Sequence, residues 1–167
     1  AVRPLLYESS IALLQAGEPG QAREAAAALL RRHPENIRVL YHAGNINLAL
    51  NEFLQARKHY EQLLKLEPSH KGAAVNLAIA LNGAVRELTS RGKSSVREGD
   101  YPAAAQFFRR ALALNPSDPT AKACFEEIEP YIEKALLKHL ADGEDALGDG
   151  LFREAMLAAR KALEHHP

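Results

Sequence analysis

Cysteine is nearly absent: Cys124 stands alone among 167 residues. A lone thiol forms no intrachain disulfide, so the sequence carries no mark of an oxidising compartment. An excess of one charge sign is missing too, since 21 Lys and Arg balance 21 Asp and Glu. A net charge of zero removes the long-range attraction that draws proteins to nucleic acid or anionic membrane. The basic run Arg31-Arg32-His33 reads as a solvated helix end, where cations complement the dipole. No stretch approaches the roughly 20 uninterrupted apolar residues that would cross a bilayer. The opening Ala-Val-Arg-Pro lacks the charged and apolar segments of a signal peptide. The compartment is left open, with cytoplasm preferred to periplasm. Hydrophobic residues still make up 47% of the chain and charged residues 25%. That balance supports one packed globular core and argues against global disorder.

The chemistry-bearing motifs are missing as well. None of the seven histidines pairs at metal-ligand spacing with Cys124 or with another histidine. His165 and His166 are adjacent, so they point to different sides of a helix and make a poor metal pair. Asp142-Gly143-Glu144-Asp145 faintly resembles a calcium loop, but the sixth position, where glycine is required, is Leu147. Gly92-Lys93-Ser94 lacks the earlier glycine of a phosphate loop. No Gly-x-Ser-x-Gly elbow occurs. No catalytic residue, metal or cofactor is expected, and the chain is read as a non-enzyme.

What is present is a repeat. Four times an Ala is followed twelve residues later by a Pro: Ala22/Pro34, Ala56/Pro68, Ala104/Pro116 and Ala155/Pro167. Successive pairs are 34, 48 and 51 residues apart. Before each Ala comes a short turn containing Gly17, Asn51, Gly99 or Gly150. Gly and Asn end helices because they tolerate a left-handed backbone. Phe53, Tyr101 and Phe152 follow three of these turns, placed to wedge between two helices. Apolar residues recur at helical spacing, as in Ala22, Ala25, Ala26, Leu29, Leu30 and in Ala104, Phe107, Phe108, Ala111, Leu112. Small residues at Ser10, Gly44, Gly92 and Gly143 mark one close-approach point in the first helix of each pair. Each recurring Pro stops the second helix, because proline disfavours helix in the residue before it.

This pattern resembles the tetratricopeptide repeat family. The best single units are residues 37–70, 85–118 and 136–167. The resemblance implies an all-α solenoid of stacked antiparallel helical hairpins with a right-handed superhelix, in one domain. The repeats fall at about 3–36, 37–70, 71–118 and 119–167. The last two carry insertions. The third exceeds the 34-residue period by 14, close to four turns at 3.6 residues each, which keeps the apolar face in phase. One long helix from Lys71 to Glu98 is therefore expected, the alternative being a break at Asn82-Gly83. In the fourth, Ala121, Cys124, Phe125 and Ile128 lie at helical spacing, and Pro130 is expected to kink the helix or start a new one. Cys124 reads as a buried small hydrophobe. Both ends fall at repeat boundaries without a polar capping helix, so a piece of a longer protein, or stacking between copies, is expected. The Ala-, Leu- and Arg-rich composition points to a bacterial source.

By the same resemblance, first helices line a concave groove that binds partner peptides. The matching positions are Tyr7, Glu8, Ile11 and Leu14, then Tyr41, His42, Asn45 and Leu48, then Val75, Asn76, Ile79 and Asn82. Asn45 and Asn76 lead this set, because each amide offers both a donor and an acceptor to a peptide backbone. The alternative is that these asparagines are solvated or bond within the helix pair. Relatives that grip a C-terminal carboxylate use Lys and Arg where this chain has Tyr41 and Gly72, so that clamp is incomplete. The implied role is a scaffold or adaptor that holds an extended segment or an amphipathic helix. Self-assembly through repeat ends, and a regulatory arm of a larger enzyme, are the competing roles.

Overall fold

The computed structural model describes residues 4–147, with side chains described from Glu8 to Lys134 except Pro19. The Gly150 turn, the Ala155/Pro167 pair and His165-His166 lie outside the described residues. Seven helices and no strand make up the described part. They are α1 (Pro4–Gln15), α2 (Pro19–Arg32), α3 (Ile37–Ala49), α4 (Phe53–Leu66), α5 (Lys71–Arg97), α6 (Tyr101–Leu114) and α7 (Pro119–Leu147). The fold is the expected all-α helical repeat.

The three described hairpin turns are built alike. Gly17, Asn51 and Gly99 have φ of 78°, 58° and 78°. Each closes the same pair of bonds. At the second turn Asn51 N donates to Leu48 O at 3.0 Å and Glu52 N donates to Asn47 O at 2.8 Å. At the third, Gly99 N donates to Val96 O and Asp100 N donates to Ser95 O. This is the helix-ending pattern that needs a left-handed residue and satisfies the orphan carbonyls of the last turn. Helix starts are equally explicit. Asn36 and Asp118 accept from Val39 N and Ala121 N through side-chain oxygens. Asp100 does the same for Ala103 N, and His70 Nδ1 accepts from Ala73 N at 3.0 Å. Each such cap contributes about 1 kcal/mol.

The chain divides into two compact units. The first holds α1–α4 and α5 up to Leu88, together with residues 113–116. Its core packs Leu40, Ala56, Tyr60, Leu63, Ala73 and Ala80, with Tyr41, Leu48 and Leu77 against them. A second cluster joins Ala22 and Ala26 of α2 to Ala43 and Ile46 of α3. The second unit runs from Thr89 to Leu112 and onward from Ser117. There Ala104, Ala105, Phe108 and Ile128 form the core, and Cys124, Phe125 and Ile132 pack against it. Cys124, read from the sequence as buried, is only half-buried and packs against this core from its edge.

Glycine sits where a helix must accept an aromatic ring. A Cβ at Gly44 would overlap the ring of Tyr60, and a Cβ at Gly92 would overlap the ring of Phe108. Gly83 makes the same room for Phe53. That contact explains why α5 keeps a poor helix former in its middle and does not break at Asn82-Gly83. The 14-residue insertion is therefore absorbed as one helix of 27 residues. Pro130 lies inside α7 and starts no new helix. The apolar stripe Ala121, Cys124, Phe125, Ile128, Ile132 continues across it, so packing outweighs the roughly 3 kcal/mol that an interior proline costs.

Candidate functional site

The first unit brings α3 and α5 side by side through Asn45 and Asn76. Asn76 Nδ2 donates to Asn45 Oδ1 at 2.8 Å. The hydroxyl of Tyr60, reaching over from α4, donates to the same Oδ1 at 2.7 Å. Asn76 Nδ2 also lies 3.5 Å from the Tyr41 hydroxyl and 3.4 Å from that of Tyr60. Burial of the Tyr60 ring pushes its hydroxyl well above the usual phenol range, so it stays a neutral donor. Each asparagine uses one side of its amide for this network. Asn45 Nδ2 and Asn76 Oδ1 make no hydrogen bond among the described residues.

Exposed aliphatic surface adjoins these amides on α5. Val75 is 61% exposed and Ile79 51%. They are one helical turn apart, so they lie on one face. Further along, Ile79 and Asn82 border a shallow opening that Phe53 and Arg86 also line. At the other end, the Tyr41 ring packs 4.9 Å from the His70 ring. The Tyr41 hydroxyl lies where a Cβ on residue 72 would meet it at 2.8 Å. Tyr41 and Gly72 thus fit each other sterically, in the places where a carboxylate clamp would have cations.

The remaining sequence candidates are placed differently. Leu48 is half-buried against the core, and Ile11 is half-buried on α1. The Tyr7 side chain lies outside the described residues, although its backbone is in α1. His42 is 6% exposed, and its Nε2 lies 2.7 Å from the hydroxyl of fully buried Ser10. Burial pulls its imidazole below the usual histidine range, with the Ser10 contact opposing. His42 therefore presents no open surface to a ligand. The signal was available: His42 is three residues after Val39 and four before Ile46, in step with the buried stripe of α3. Asn47, also buried on α3, went unnoticed for the same reason.

Among the described residues no cluster of three His, Cys, Asp or Glu side chains could hold a metal ion. No described helix is long and apolar enough to cross a membrane.

Two family models, both described as tetratricopeptide repeat, match this chain. One matches residues 37–70, the other residues 7–53 and 88–121. Together they take in more than half of the sequence. The chain belongs to the tetratricopeptide repeat family. Such repeats are protein-interaction modules and typically non-catalytic. Among curated relatives, a DnaJ homolog subfamily C member 7 homolog of Schizosaccharomyces pombe is 28% identical over 133 residues, 77% of this chain and 26% of that protein. A probable biofilm formation methyltransferase WspC of Pseudomonas putida is 33% identical over 93 residues, 53% of this chain and 22% of that protein. The chain thus spans about a quarter of the length of the curated relatives it matches. Solved tetratricopeptide domains are similar to it at low identity. The Arabidopsis OM64 domain is 18% identical, with 76% of this chain and 93% of that chain covered and a TM-score of 0.42. The Sgt2 domain of Aspergillus fumigatus is 17% identical, with 79% and 80% covered and a TM-score of 0.44.

Proposed function

We propose that this tetratricopeptide chain is a scaffold that holds an extended peptide along α3 and α5, centred on Asn45 and Asn76. One observation carries the reading. The two amides are locked to each other, which leaves one outward donor and one outward acceptor beside exposed Val75 and Ile79. A peptide unit offers the complement, one carbonyl and one N–H. Tyr60 and Tyr41 hold the amides in place beforehand, so little ordering entropy is lost on binding. Ile79 and Phe53 supply an apolar contact for a side chain two or three residues along. Tyr41 and Gly72 favour an internal segment over an acidic chain end. The fine mapping of the groove onto Tyr7, Ile11, Leu48 and Asn82 belongs to this proposal.

The test is peptide selection against the full chain, followed by affinity measurement on the selected peptide. Asn45→Ala with Asn76→Ala is expected to weaken binding at least tenfold, as two backbone hydrogen bonds at about 1 kcal/mol each are lost. Unchanged affinity would place the peptide elsewhere. A regulatory arm of a larger enzyme is the second reading. It is favoured by the methyltransferase relative, of which the match takes in 22%.

A further inference from the structure

The face of α5 that adjoins the Asn45–Asn76 amides carries charge as well as aliphatic surface. Lys71, Val75, Ile79, Asn82 and Arg86 follow one another at steps of four, four, three and four residues. That spacing keeps them on one side of the helix. All five are exposed. The stripe is aliphatic in its middle and cationic at both ends.

These two cations are uncompensated. Neither Lys71 nor Arg86 makes an ion pair among the described residues, whereas Arg23, Arg57 and Lys122 are paired with Glu52, Glu61 and Glu126. Glu87 lines the same opening as Arg86 but already has an interaction of its own. The groove positions of α3, Tyr41, Asn45 and Leu48, bring no charge. Lys71 is also the first residue of α5, where the helix dipole disfavours a cation. One unpaired surface cation is ordinary. Here two of them bracket the exposed pair Val75 and Ile79.

We infer that the segment held along α5 is aliphatic at its centre and carries an acidic side chain on each flank, one for Lys71 and one for Arg86. This rests on the peptide reading above and adds the chemistry of the partner. At 1.5 Å per helical residue, Val75 and Ile79 stand about 6 Å apart along the axis. That is about two residues of an extended chain, the interval at which side chains return to the same face. Lys71 lies about 6 Å before Val75 and Arg86 about 10 Å beyond Ile79. The acids therefore stand about two residues outside one aliphatic contact and about three outside the other. Exposed ion pairs are individually weak, so these two sort partners more than they hold them.

Random-peptide phage display is run against the parent chain, the Lys71→Glu, Arg86→Glu variant and the Asn45→Ala, Asn76→Ala variant. Lys71 and Arg86 are exposed, so their reversal leaves the core intact. The parent is expected to enrich aliphatic residues flanked by Asp or Glu. The charge-reversed variant should enrich the same aliphatic residues flanked by Lys or Arg. For a synthetic peptide from the parent selection, Arg86→Gln should weaken binding about twofold to fivefold. That difference should vanish in about 1 M salt, where screening acts within about 3 Å. Parent peptides without flanking acids, or a charge-reversed variant that keeps the acids or fails to enrich basic peptides, would overturn this inference and leave the peptide site standing. An empty parent selection, or one that Asn45→Ala with Asn76→Ala does not change, would overturn both.

Discussion

The hairpin α3–α4 and the hairpin formed by the end of α5 with α6 share one frame and differ in what decorates it. In both, a glycine receives an aromatic ring sixteen residues later, Gly44 with Tyr60 and Gly92 with Phe108. In both, a buried alanine follows the turn, Ala56 and Ala104. The polar groups do not repeat. Tyr41 is matched by Thr89, His42 by Ser90, Asn45 by Lys93 and Tyr60 by Phe108. The hydroxyl of Tyr60 and the amide that accepts from it are therefore both gone from the second unit. Thr89 Oγ1 is left buried with no partner there. The frame is a packing solution and can be reused unchanged. Of these two hairpins, the first has the Tyr60–Asn45 bond, and the proposed peptide site lies beside it.

Breaking the shared frame should give the largest effects. Tyr60→Ala and Phe108→Ala each remove a fully buried ring, and each is expected to cost about 4 kcal/mol. Urea unfolding read by hydrogen exchange, helix by helix, checks that the losses are similar. A loss confined to one hairpin would mean the glycine–ring contact is not the common frame. Separating frame from decoration should be milder. Tyr60→Phe keeps the ring and loses the bond to Asn45, at an expected cost of about 1 kcal/mol. Thr89→Val removes an unpartnered buried hydroxyl and should stabilise the second unit by about 1 kcal/mol.

Acid sharpens the comparison further, with the smallest effect. His42 and His59 have lowered pKa values in the fold, chiefly through burial. Below the unfolded value of 6.5 the unfolded chain binds protons that the folded chain does not. Stability of the first unit is therefore full above pH 6.5 and falls as pH drops from there toward the lowered folded values. The matching positions Ser90 and Phe107 carry no such group. Exchange protection in α3 and α4 should decline between pH 7 and 5.5 more than in α6. His42→Gln should flatten that slope, and an unchanged slope would assign the effect elsewhere.

Much of the frame was legible in the sequence, because it depends on spacing. The positive φ at Gly17, Asn51 and Gly99, the turn-following aromatics and the unbroken α5 all follow from period and residue type. The site was legible only as a set of helix faces. Spacing places Asn45 and Asn76 on neighbouring helices, but it does not say that their amides bond to each other and leave complementary halves free. Spacing does put His42, unlike its neighbour Tyr41, in step with Val39 and Ile46, but it does not name Ser10 of α1 as the partner. Asn47 is likewise a polar residue in step with the buried stripe of α3.

The sixteen-residue step from glycine to ring also sets the folding route. Each core contact closes a short loop, and the entropy of closure grows only slowly with loop length. Contacts this local belong to the fast end of two-state folding, and stacked repeats can nucleate at any unit and spread from it. With the same loop length in both hairpins, either can serve as the nucleus. Which one starts is then decided by what surrounds the ring: a hydrogen-bonded phenol in α4, or a bare phenyl in α6.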